Sequence, residues 1–345
     1  MRSVALQDWP KVFWSFSDNG FEQSGTYAEA AARRIGGRAS YVVVCHGQTL
    51  LAAAALRKRL VPGLGRGIVW CPSGPLVAPH DGAPPSSSTL TSVLHALRNE
   101  FVVRQGHILR FRLSGTAFPA KNILEETASL AGFSLAPSLR HYSSSVINLC
   151  FDEETLIQNL HGKWRTDLRF ALKSDIKLEN GSGTAIETRF LKLFEMVQVA
   201  KGFRPDVSPE FHFGLSGSDY AHEVLIATHK GRDIAGVVIG HAGACTTYLF
   251  GATTPEGRPL RAGYFLTWKA LQLARSAGSK WYDLGGIDTE ENPDVARFKR
   301  RMGGTSIYSV PFEACSTDLA PRFIKALESV RKRWRASRDA KRSSS

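Results

Sequence analysis

The sequence predicts an α/β protein made of two domains of similar build. Three observations carry this. The chain has 345 residues, enough for two cores of ordinary size. Its 43% hydrophobic and 22% charged content is that of a globular protein. One order of elements (strand, turn, strand, helix, strand) occurs once in each half. The pattern is interrupted at RHYSSSV (140–146), so domains are expected over 1–147 and 148–312, followed by a basic helix and tail over 313–345.

In the first half, ASYVVVCHGQTLLAAAALRK (39–58) reads as two strands around a turn at His46-Gly47-Gln48. RGIVWCPSGPLVA (66–78) reads as a strand that ends at a Pro/Ser/Gly turn. HDGAPPSSS (80–88) is a loop, and TLTSVLHALRNEFVVRQG after it has helical spacing with a Gly stop. HILRFRLS (107–114) alternates as a strand. In the second half, 153–173 forms a basic amphipathic helix and 187–200 another. Residues 223–253 predict a three-stranded meander with turns at Lys230-Gly231 and Ala242-Gly243. A helix at 263–277, the strand KWYDLGG (280–286), a loop and VARFKRRMGG complete it.

The formal charge of +13 is uneven: from Ala296 onward, 13 Lys/Arg stand against four Asp/Glu. A field of that sign favours RNA, nucleotides or an anionic membrane face. The alternative is a solvated tail that only aids solubility. No apolar run approaches the roughly 18 residues that span a bilayer. The opening MRSVALQDWPKVFWSF has no secretory pattern. Cys45, Cys71, Cys150, Cys245 and Cys315 lie too far apart for a disulfide framework or a CxxC metal site, so reduced thiols are expected. The expected address is the cytoplasm, with peripheral contact at the inner face of the membrane through the basic tail. Ten histidines show no ligand spacing, and no metal site is expected. Ser24, Ser73 and Ser216 lack a GxSxG elbow, which argues against a serine hydrolase.

The repeated order of elements is also that of a GNAT-type acyltransferase domain. Several segments further resemble the FemABX family of tRNA-dependent aminoacyltransferases. TYLFGATTPEGRPLRAGYFLTWKALQLARSAGSKWYDLGGID (247–288) and ARFKRRMGG (296–304) are similar to the family's aromatic-Gly-Ala/Ser strand end, Trp-bearing helix, aromatic-Asp-aromatic/Leu-Gly-Gly strand end and Phe-Lys-x-x-Phe/Met-Gly-Gly. LHGKWRTDLRFALKSDI (160–176) resembles the helix that opens the family's second domain, and FEQSGTYAEAAARRIGG (21–37) its Gln-Ser opening. The resemblance implies two tandem GNAT-like domains with a cleft between them and the final helix packing back on the first. Some members carry a long helical arm, but nothing here has the length or heptads for one, so the chain resembles the compact, armless type. The chain departs from the family at Pro72-Ser73-Gly74-Pro75, where an Arg often precedes Gly-Pro, and at Leu113-Ser114, where an acidic residue is common.

Lys299 is the first candidate for a working residue. With Arg297, Arg300 and Arg301 it precedes Gly303-Gly304, and such cations could hold an acceptor's diphosphate and a developing oxyanion. Otherwise the run is a solvated basic turn with an exposed Lys299. Asp283 ends a strand before Gly285-Gly286 and either takes a proton from the attacking amine or accepts hydrogen bonds from the next loop. Tyr248 and Phe250 alternate, hence share a face: core packing is the plain reading, and the family position suggests a pocket role for Tyr248. Arg261 and Gly263 precede a helix, whose N-terminus favours phosphate, in a degenerate form of the coenzyme A loop. Lys201 and Arg204 fall near a family position that contacts acceptor phosphates. Lys163, Arg165, Arg169 and Lys173 partly share a helix face, with Trp164 and Phe170 in the core.

The resemblance thus implies transfer of an amino acid from aminoacyl-tRNA, as co-substrate, to an amino group of a nucleotide- or lipid-linked muramyl peptide, with no cofactor. One alternative is an acyl-CoA-dependent N-acyltransferase on the same fold. Another is a non-catalytic RNA- or membrane-binding protein.

Overall fold

The computed structural model describes residues 1–80, 85–114, 121–201, 206–290 and 292–343. Along the first part run β1 (Arg2–Val4), α1 (Trp9–Phe13), α2 (Gly25–Arg34), β2 (Arg38–His46), β3 (Thr49–Leu60), β4 (Gly67–Cys71), α3 (Ser87–Arg98), β5 (Ile108–Phe111), α4 (Lys121–Leu130) and β6 (Ser134–Leu135). β2, β3 and β4, the three strands expected here, form an antiparallel meander; α3 then returns the chain so that β5 lies parallel to β4. The Val- and Ala-rich strands are apolar on both faces because helices cover both. Val42, Val44, Ala54 and Leu56 face the core under α3, whereas Tyr41, Val43, Ala53 and Ala55 pack with Trp9, Phe13 and α2. β4 ends at Cys71, at the expected Pro/Ser/Gly turn, where Pro72–Pro75 leaves the strand and Gly74 bridges to Arg112.

The second part holds β7 (Tyr142–Asn148), α5 (Glu153–Asn159), α6 (Gly162–Lys173), β8 (Lys177–Gly181), α7 (Thr184–Lys201), α8 (Pro209–Phe213), β9 (Ala221–His229), β10 (Arg232–Ala242), β11 (Cys245–Thr253), α9 (Ala262–Ser276), β12 (Trp281–Asp283), α10 (Pro293–Arg301) and β13 (Thr305–Ser309). The sheet order is β13-β7-β12-β11-β10-β9-β8, with β9–β11 as the meander and β12 parallel to β11. The helix expected over 153–173 is two helices. Asp152 caps α5, and the His161 imidazole accepts from Lys163 N at the start of α6. On α6 the buried stripe is Trp164, Asp167, Leu168 and Ala171; Phe170 lies off it and is exposed, not core.

β7 crosses the 147/148 division yet pairs wholly within the second sheet, with β12 and β13, so the chain enters that sheet at Tyr142. β14 (Phe312–Ala314) returns to the first sheet between β5 and β6, and α11 (Leu319–Ser343) follows it. Glu328 of α11 takes a two-pronged bond from buried Arg110 of β5, which ties this helix to the first sheet. The two parts share a core: Leu215, Tyr220 and Ala242 cluster with Trp9, Phe13 and Tyr27. Asn19 reaches across to accept from Ala244 N at 2.6 Å. No helix among the described residues is long and apolar enough to cross a membrane.

Candidate active site

A cleft of about 1660 Å³ is lined by residues of both parts. Its second-half wall follows from the way the sheet opens. β11 and β12 pair at Cys245↔Trp281, Thr246↔Tyr282 and Thr247↔Asp283 only. From Tyr248 onward β11 keeps its pairing with β10 but has lost β12, and the chain after Asp283 turns away at Gly285, whose φ is +72°. A Cβ there would come within 2.3 Å of the Tyr248 carbonyl oxygen, so only glycine fits.

α10 delivers Lys299 into this opening. Its ammonium donates to the Gly286 carbonyl at 2.9 Å and lies 5.3 Å from the centre of the Tyr248 ring. Lys299 is only 8% exposed, which replaces the expected exposed side chain in a basic turn. The helix turns it inward together with Ala296, one turn before it. Burial pushes its pKa down to about 8, against the pull of nearby Asp283. Burial likewise raises the Tyr248 phenol.

Asp283 accepts from the Ser144 hydroxyl, from the Tyr142 hydroxyl at 2.9 Å and from Gly285 N at 2.8 Å. Burial lifts its carboxyl above the ordinary range, opposed by those three donors and by Lys299. Behind Tyr142 the polar chain goes on into the first half. The Arg112 guanidinium lies 4.9 Å from the Tyr142 ring centre and donates to Glu22 Oε2 at 2.5 Å, as does Ser73 Oγ at 2.6 Å. Burial works to raise the Glu22 carboxyl, but Arg112, Arg57 and Ser73 outweigh it and hold it low. Gln23, beside it, is fully buried and pins the Pro72 turn to β3 through Pro72 O, Ala55 O and Ala55 N. The Gln-Ser opening therefore has a structural role: Gln23 fixes the cleft wall and Ser24 caps α2.

Of the residues singled out in the sequence, Lys299, Asp283 and Tyr248 come together. Arg261 and Gly263 line the same cleft. Arg261 adopts a left-handed backbone at the start of α9 and is held by Asp167 at 2.9 Å. Arg297 is not brought in: two residues before Lys299 on α10, it points elsewhere and pairs with Asp294, while Arg300 lines the cleft. The side chain of Lys201, and Arg204 altogether, lie outside the described residues. Tyr248 and Phe250 do not share a face. The register steps from Val238↔Phe250 to Ile239↔Tyr248, so Leu249 is a bulge. Tyr248 consequently joins the Tyr282 side of the sheet, and Phe250 the Phe190–Phe194 side.

Arg112, Tyr142, Ser144 and Glu22 escaped the sequence reading. Arginines at alternate positions in an otherwise buried strand, Arg110 and Arg112, were one available signal. Tyr142 and Ser144, also alternate, sat in the run taken for an interruption.

Residues 219–309 match the FemAB family. In that segment, about a quarter of the chain, the protein is similar to the FemAB family. The lipid II:glycine glycyltransferase of Staphylococcus haemolyticus (strain JCSC1435) is 24% identical over 123 residues, 36% of this chain; the match spans 28% of that protein's length. Among solved structures, FemX superposes with a TM-score of 0.74 at 14% identity, covering 96% of this chain and 99% of its own. The C-terminal domain (DUF2156) of a putative lysylphosphatidylglycerol synthetase from Agrobacterium fabrum reaches 0.53 at 12% identity, covering 93% and 95%. At such identities the likeness establishes the fold, two GNAT-like α/β domains in tandem. The FemAB segment contains Tyr248, Arg261, Gly263, Asp283, Arg297 and Lys299, whereas Lys201 and Arg204 precede it.

Proposed function

We propose that this chain is an aminoacyltransferase that moves an amino acid from aminoacyl-tRNA to an amino group of a peptidoglycan precursor, a nucleotide- or lipid-linked muramyl peptide. The observation that carries the reading is the buried ammonium of Lys299, under the electrostatic influence of the half-buried Asp283 carboxylate at the opening of the second sheet, inside the FemAB segment. The relative that acts as a lipid II:glycine glycyltransferase supports the acceptor class.

The acceptor's neutral amine attacks the ester carbon. A C–N bond forms, the C–O bond to the tRNA 3′ oxygen breaks, and the amine's proton ends on that oxygen. An ester is already activated, so the protein has mainly to align the reactants and stabilise oxyanion charge. Lys299 spends one proton on Gly286 O and keeps two to donate to the carbonyl oxygen as it becomes charged. Asp283 keeps that lysine cationic and fixes the Gly285 turn; with three donors already bound, its first role is to position Lys299. Arg261 and Gly263, at the N-terminus of α9, suit a phosphate of donor or acceptor.

The test is incubation with a charged tRNA pool and either UDP-muramyl pentapeptide or lipid II, read by mass spectrometry. The reading expects a mass increase of one aminoacyl residue that ribonuclease abolishes. Product formed from acyl-CoA, indifferent to ribonuclease, would overturn it in favour of an acyl-CoA enzyme.

A further inference from the structure

α11 is oriented opposite to a helix that merely closes a fold. Its inner face is largely polar. Glu328 takes Arg110 Nη1 and Nη2 at 2.7 and 2.8 Å, Lys325 pairs with Glu313, and Ile324 is buried. Its outer face carries Leu319, Phe323, Leu327, Val330 and Trp334, each between 41% and 77% exposed. At 3.6 residues per turn these five fall within an arc of roughly 80°. Helices on soluble domains put such a stripe inward, and a contiguous exposed one marks a docking surface.

Charge indicates what docks there. From Leu319 onward, nine Lys/Arg stand against two Asp/Glu, and Arg322 and Arg333 are exposed just beside the stripe. An RNA backbone would satisfy the cations but leave the stripe in water. An anionic bilayer satisfies both: apolar side chains enter the boundary between headgroups and acyl chains, and arginines reach lipid phosphates. Trp334 is the residue type that settles at that boundary.

We propose that α11 is an in-plane membrane anchor, docking the protein by its apolar stripe on an anionic lipid surface. This goes beyond the transfer reaction and is independent of it, because vesicle binding needs neither donor nor acceptor.

The test is co-sedimentation of the full chain with phosphatidylcholine vesicles, with and without phosphatidylglycerol. Binding is expected to the anionic vesicles, weakened by salt. The double variant Phe323→Ser/Val330→Ser should lose roughly tenfold or more in partitioning with an unchanged circular dichroism spectrum. Should that variant not fold, brominated lipid provides the same test on the native chain: it should quench tryptophan fluorescence, less so in Trp334→Phe. Vesicle binding unchanged by the double variant would overturn the proposal. So would RNA binding without vesicle binding, or a dimer in sedimentation equilibrium that the variant dissociates, which would make the stripe a contact between copies.

Discussion

Lys299 and Asp283 both titrate in an unusual range because burial disfavours their charged forms. For Lys299 the consequence is signed. Between about 8 and its ordinary 10.5 the unfolded chain holds a proton that the folded chain does not. Stability therefore rises with pH across that window, and below it the buried ammonium is a standing cost. Transfer should run the other way, falling as pH passes about 8 and the oxyanion loses its donor. A pH–rate profile checks this, and Lys299→Arg, which stays charged, should remove the alkaline limb while recovering only part of the rate. Tyr142→Phe deletes a donor to Asp283, so the carboxyl should rise further and the acid limb move to higher pH. An acid limb that stays in place would mean the Tyr142 hydroxyl does not act through Asp283. The same change should cost about 1–3 kcal/mol in urea unfolding, the range for an unsatisfied buried acceptor.

Two elements shape the site, the Leu249 bulge and the Gly285 turn. Gly285→Ala must hold φ +72° with a Cβ against the Tyr248 carbonyl. It should cost about 1–3 kcal/mol of stability and move Lys299 with the turn, lowering transfer as well as the urea midpoint. Unchanged activity at a lowered midpoint would separate the turn from the site. These elements also show how far the sequence was legible. Alternation and turn residues located the meanders, as at His46-Gly47-Gln48 and Lys230-Gly231, because a two-residue turn fixes the register of both flanking strands. They could not locate the bulge. One extra residue in β11 leaves no mark in composition, yet it sends Tyr248 and Phe250 to opposite faces. Nor could period alone show that α10 turns Lys299 inward and leaves Arg297 outside, since that depends on which face meets β11.

On the scale of the whole molecule, the cleft exists because two sheets are held at a fixed separation. Asp219, just before β9, is buried and accepts from Gly25 N at 2.5 Å and from both Thr26 N and Oγ1, at the start of α2. Asp219→Ala should lower stability by about 1–3 kcal/mol by stranding those donors, without shifting the alkaline limb set by Lys299. A shifted limb would show that this joint reaches the site. The polar chain Glu22–Arg112–Tyr142–Asp283 was illegible in the sequence for the same long-range reason: its members are brought together by two different sheets. The account as a whole rests on one claim, that the Lys299 ammonium stabilises acyl transfer from aminoacyl-tRNA. The most direct measurement is single-turnover transfer by the native chain and by Lys299→Met at neutral pH, with the thermal midpoint of each. The account predicts a rate lower by roughly 10²–10³-fold and a midpoint unchanged or raised, since a buried charge has been removed. An equal rate in both proteins would contradict it.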